Sequence, residues 1–160
     1  MTVTRVDRDD DNLTVTLIAD FAAPIDQVWE LWSDARRLER WLGPPTHPAS
    51  VERHDLVPGG EIRFVMTGPG GDVSWGTWRV TVVDPPRSLE FIDAFADANG
   101  TPIADMPVSK VTVRLSERGA GTRMELHAAF ESRADMEKWV RMGTVEGLQA
   151  AVGQMDALLG

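Results

Sequence analysis

The chain's hydrophobic pattern changes most plainly near its end, where a period of two gives way to a helical one. From Thr122 to Glu131 it alternates: Met124, Leu126, Ala128 and Phe130 fall on one face of a strand, Arg123, Glu125, His127 and Glu131 on the other. From Arg133 to Leu159 the apolar positions Met136, Trp139, Val140, Val145, Leu148, Val152, Met155 and Leu159 recur at steps of three to five. That is near the 3.6-residue period of a helix and makes one apolar stripe. A one-sided sheet and a one-sided helix bury their faces against each other. Met and Trp on such a stripe line a cavity as readily as they fill one.

Upstream, Leu13, Val15, Leu17, Ala19 and Phe21 alternate with polar positions and predict a first strand. Pro24 suits the first turn of a helix. In that helix Ile25, Val28, Trp29 and Trp32 share a face. Ser33-Asp34 breaks it and caps a second helix, with Leu38, Trp41 and Leu42 inward and Arg36, Arg37 and Arg40 outward; Gly43-Pro44-Pro45 stops it. Strands follow over 51–57, 61–67, 73–83, 88–95, 108–116 and 122–131, separated by Gly- and Pro-rich turns. Gly143-Thr144 interrupts the last helical segment, with Thr144 read as the cap of its main part. The order is strand, two helices, about six antiparallel strands, long helix.

At 160 residues the chain is expected to form one domain, 1–160, with a sizeable core. Residues 1–12, which carry Asp7, Asp9, Asp10 and Asp11, read as a loosely ordered acidic lead. A net charge of −9 argues against nucleic-acid partners and anionic membranes. No apolar run approaches the ~20 residues of a membrane span, and the N-terminus lacks a signal-peptide layout. The absence of cysteine removes thiol nucleophiles and zinc-thiolate sites. Cytoplasmic location is the resulting expectation.

A set of local motifs adds a resemblance. These are Phe21-Ala22-Ala23-Pro24-Ile25-Asp26-Gln27-Val28-Trp29, Arg40-Trp41-Leu42-Gly43-Pro44, Pro58-Gly59-Gly60, Gly76-Thr77-Trp78, the run from Asp84 to Phe91, and Met142–Gly147. In this order and spacing the chain resembles the START-like (helix-grip, SRPBCC) superfamily, in the branch related to the C-terminal domain of the Hsp90 ATPase activator Aha1. The resemblance covers roughly Leu13 to Leu159. It implies an α+β helix-grip fold: a curved antiparallel sheet of about six to seven strands wrapped around a long C-terminal helix, with two short helices after the first strand. It also implies a hydrophobic cavity between helix and sheet, and no particular reaction, since a fold does not fix a function.

Few residues offer chemistry. His47, His54 and His127 stand at no metal-ligand spacing, so neither a metal nor a cofactor is expected. Arg63, Arg79, Lys110 and Arg114 alternate with apolar neighbours and belong to the outer face. The glycine turns lack the helix and lysine of a phosphate loop. Asp93 shares its strand face with Leu89, Phe91 and Phe95. If that face turns inward, a carboxylate points into an apolar groove, where desolvation raises its pKa and makes it a polar anchor or a proton carrier. The candidate ligand-binding set is Trp41, Phe64, Met66, Trp78, Phe91, Asp93, Phe95, Met124, Leu126, Trp139 and Met142; no catalytic residue is assigned. The leading expectation is a non-catalytic protein, monomer or homodimer, that binds a small apolar or amphipathic molecule. A cyclase- or dehydratase-like enzyme and a ligand-free module docking on a chaperone are the alternatives.

Overall fold

A computed structural model describes residues 3–159. Its framework is one antiparallel sheet of eight strands, β1 (Val3–Asp9), β2 (Thr14–Phe21), β3 (Ala49–His54), β4 (Glu61–Thr67), β5 (Val73–Asp84), β6 (Ser88–Ala96), β7 (Val108–Arg118) and β8 (Gly121–Phe130). Their order across the sheet is β1-β2-β8-β7-β6-β5-β4-β3. Strands β3 to β8 are a meander in which each pairs with the next; turns of six residues or fewer join them, except for the longer loop 97–107 between β6 and β7. The connection from β2 to β3 must instead travel from one end of the sheet to the other. It does so through α1 (Ile25–Ser33) and α2 (Ala35–Leu42).

Alternation sets the sheet's two faces. Val15, Leu17, Ala19 and Phe21 of β2 lie opposite Ala128, Leu126, Met124 and Thr122 of β8, and all eight are buried. The outward positions pair charges instead: Arg123 makes two hydrogen bonds to Asp20, its partner across the ladder, at 2.8 and 3.0 Å. Helix α1 buries Val28, Trp29, Leu31 and Trp32. The Asp34 side chain caps α2 by accepting from the Arg36 and Arg37 amides, as expected of an aspartate at that position. Along the sheet's β3 edge, α2 reaches out with two side chains. Glu39 accepts from the Val51 amide at 2.9 Å, and Arg36 donates to the Val51 carbonyl at 2.9 Å.

Four expectations need correcting. The acidic lead is not loose over its described residues: Val3–Asp9 is an edge strand, and Asp9 accepts from the amides of Asp11 and Asn12 in the hairpin turn to β2. A bulge between Val3 and Arg5 explains why alternation did not reveal it. The bulge puts Val3 and Val6 opposite inward-facing Ala19 and Leu17, so the strand has no period of two. The sheet therefore has one strand more than the upper expected count. The terminal segment breaks at Gly143-Thr144 as expected, but into two helices of nearly equal length rather than a short helix and a long main one. It comprises α3 (Arg133–Arg141), α4 (Thr144–Gly153) and a 3-10 turn, Met155–Leu158. The cap of α4 is Gly143 rather than Thr144; it sits at φ +80°, a left-handed conformation that glycine adopts without strain.

Candidate functional site: an apolar cavity with one carboxylate

The interior packs as two clusters. The larger joins α1 and α2 to the central strands through Trp32, Trp41, Trp78 and Phe91. The smaller gathers Val15, Ala128, Phe130, Met136 and Trp139 under α3. Between them lies a cavity of about 310 Å³ whose walls come from both clusters. Its exposed lining residues are Ser74 and Met142, which place the opening between the start of β5 and the α3–α4 junction.

Aromatic rings build the floor. Trp78 stacks on Phe91 at 4.1 Å with the planes 16° apart. Phe64 meets Trp78 edge-on at 5.5 Å, and Trp32 meets Trp41 edge-on at 4.7 Å. Such contacts fix ring orientation beyond simple burial. Gly76 permits the arrangement. It lies opposite Phe64 in the ladder, and a Cβ there would stand 2.4 Å from the Phe64 ring. The Trp41 indole N–H donates to the Leu31 carbonyl at 2.8 Å, whereas the buried Trp32 indole nitrogen has no partner among the described residues. Gln154 donates to the carbonyls of Trp41 and Gly43, tying the end of α4 to the end of α2.

Among the described residues, one ionisable side chain lines the cavity, and it is Asp93. In the ladder it stands between Trp78 of β5 and Ser109 of β7, so its parity is inward. It is half-buried and lines the cavity. Desolvation pushes its carboxyl up to about 7; the neighbouring Trp78 indole N–H pulls the other way without cancelling the shift. At neutral pH this group is therefore close to half ionised.

The structure brings Trp41, Phe64, Met66, Trp78, Phe91, Asp93, Phe95, Leu126, Trp139 and Met142 around this one space. Met124 is the exception. It is fully buried in the larger cluster, opposite Ala19, and touches solid core rather than the cavity. The lining also takes in residues outside the candidate set, among them Trp32, Val111, Gly147 and Leu148. Trp32 falls at the last position of α1's apolar stripe, which marks it as inward and cannot distinguish a wall from a filled core. Arg79, Lys110 and Arg114 are exposed, and Arg63 is half-buried against Glu61, its guanidinium donating at 2.7 Å. His127 meets the Thr16 hydroxyl on the outer face at 2.9 Å, and His54 meets the Trp32 carbonyl at 3.1 Å. Among the described residues no group of three or more His, Asp or Glu side chains is placed to hold a metal ion. Among them, too, no helix is long and apolar enough to cross a membrane.

The model of a family described as "Activator of Hsp90 ATPase homolog 1-like protein" matches residues 22–160. Protein Ms6760 from Mycobacterium smegmatis is similar at 43% identity and a TM-score of 0.92, over 99% of this chain and 97% of that one. A protein from Arthrobacter aurescens is similar at 42% identity and a TM-score of 0.93, over 98% and 91%. The AHSA1 protein from Silicibacter pomeroyi is 25% identical with a TM-score of 0.71, over 90% and 95%. No curated protein matches the chain.

Proposed function

We propose a function from a shared fold and a particular cavity: the chain belongs to the Activator of Hsp90 ATPase homolog 1-like family, and its cavity holds a small apolar or amphipathic molecule. The observation that carries this reading is a space of about 310 Å³, walled by aromatic and aliphatic side chains, with a single ionisable group in its lining among the described residues. Ligand sites of this kind are concave, mostly apolar and equipped with few polar groups. A ligand burying ~200 Å² of its own apolar surface would gain ~5 kcal/mol before the costs of association. Native mass spectrometry of the protein purified without detergent tests this. A retained small molecule, or saturable uptake of an apolar probe blocked by filling the cavity, supports the reading. A protein that binds nothing and is indifferent to cavity-filling substitutions defeats it.

A cyclase- or dehydratase-like enzyme is the second reading, favoured by the half-ionised carboxyl of Asp93 at neutral pH. It is the weaker one, because the cavity offers no second titratable side chain among the described residues to share acid and base roles. A chaperone partner rests on the family's description alone.

A further inference from the structure

We propose that the cavity selects an organic cation, an amine or quaternary ammonium on an apolar body, with Asp93 as its counter-charge and the rings around Asp93 as its walls. This rests on the small-molecule reading above and narrows it to one ligand class.

Three independent features of the site point the same way. The first is the sign of its charge. Asp93 lines the cavity and no Lys, Arg or His does, among the described residues. A carboxylate or phosphate ligand would meet a like charge and no counter-charge among the described residues, which is unfavourable in a poorly solvated space. The second is what surrounds the carboxylate. Phe91 and Phe95 flank Asp93 on its own strand face, and Trp78 stands directly across the ladder, stacked on Phe91. Aromatic faces carry negative potential, so they repel an anion and attract a cation. An ammonium group beside Asp93 would gain from the carboxylate and the rings together. The third is unmet hydrogen-bonding capacity. An ionised carboxylate has about four acceptor positions, and the donor beside this one is the Trp78 indole. A neutral alcohol would fill one position and leave the charge uncompensated. An ammonium fills the same position and cancels the charge. The protein's net charge of −9 adds a long-range bias, since it concentrates cations around the molecule.

The binding is expected to depend on pH through Asp93. The groups that face it are Trp78 from β5 and Ser109 from β7, with Trp139, Met142 and Thr144 lining the cavity from the helical side; none of these titrates near neutrality. An alkylamine stays protonated throughout this range. Its affinity should therefore rise with pH as Asp93 ionises, and level off above about 7.

The test is calorimetric titration of the full chain with three probes of one shape: naphthylethylamine, naphthylethanol and naphthylacetate. At about pH 8 the amine should bind at least ~10-fold more tightly than the alcohol, and the acetate most weakly. Between about pH 8 and about pH 5.5 the amine should lose ~30-fold in affinity, following the ionised fraction of Asp93, while the alcohol changes little. Asp93→Asn should bring the amine down to the alcohol. The pH profile of the unaltered protein gives the same answer should that variant fold poorly. Equal or tighter binding of the alcohol or the acetate at about pH 8, or an amine affinity that ignores both pH and Asp93→Asn, overturns the cation proposal and leaves the cavity reading standing. If none of the three probes binds, both fall.

Discussion

Placing a carboxyl in an apolar cavity should leave a signature in the stability of the ligand-free protein. Asp93 has its pKa raised from 3.8 to about 7 by desolvation. The native state therefore holds this proton more tightly than the unfolded chain does. The resulting stabilisation is fully present below 3.8, shrinks as the pH rises, and is gone once the pH has passed about 7. A shift of roughly three units is worth ~4 kcal/mol at ~1.4 kcal/mol per unit, a large share of the ~5–15 kcal/mol of a typical domain. Asp93→Asn keeps the shape and removes the titration. Urea unfolding of both proteins at a series of pH values isolates the effect, because every other group cancels in the difference. Near pH 4 the two should be about equally stable. By about pH 8 the variant should be the more stable by up to ~4 kcal/mol, with most of the change between those points. A difference that stays within ~1 kcal/mol throughout, or that favours the aspartate as pH rises, would refute the claim that Asp93 faces an apolar space.

Other perturbations probe the surrounding frame. Gly76→Ala forces the Phe64 ring off β5 and into the cavity; we expect a loss of ~1–3 kcal/mol in thermal or urea unfolding together with weaker uptake of any apolar probe. Trp41→Ala should cost ~3–5 kcal/mol, because Trp41 is packed in the core and its indole holds the Leu31 carbonyl. Trp139→Ala should cost less: both rings border the cavity, but the Trp41 indole also holds a backbone carbonyl; equal costs would mean that this hydrogen bond adds nothing to stability. Asp20 behaves opposite to Asp93, its pKa lowered by the hydrogen bond from Arg123. Its contribution is present above 3.8 and lost as the pH falls through the depressed value, so Asp20→Asn should weaken the protein at neutral pH and make no difference in strong acid.

Where local rules act alone, the sequence revealed them. The inward face of β8, the apolar stripe of α1 and the Asp34 cap follow from period and residue type, and the inward parity of Asp93 followed from Leu89, Phe91 and Phe95. Register shifts hid the rest. The bulge near Val3 concealed β1, and another between Val80 and Val82 brings both Val80 and Val83 opposite inward residues of β6. The break at Gly143 was legible as a glycine, while the early end of the helix after it, in the 3-10 turn Met155–Leu158, is encoded in no hydropathy pattern. Whether an inward side chain meets neighbours or a void is also non-local: Met124 and Leu126 are two apart on one face, and only Leu126 reaches the cavity.

The two hydrogen bonds from α2 to Val51 bear on how this protein lives among copies of itself. An open sheet ends in strands whose outer amides and carbonyls are free to pair with any passing strand, which is the first step of edge-to-edge aggregation. At the β3 edge, the Val51 amide and carbonyl are already taken by Glu39 and Arg36, which also pair with each other at 3.1 Å. The side chains thus occupy the positions an incoming strand would need, at the point where β3 carries its buried valine. At the opposite edge, β1 presents Arg5 paired to Asp7, and Arg8 paired to Asp10 just beyond the strand, so a docking strand would have to displace or bury charge. Solubility of the open sheet is in this way written into residues remote from the cavity. A protein with Arg36 and Glu39 both replaced by alanine should keep its fold and form fibrils more readily, as a dye-binding aggregation assay against the unaltered protein would show.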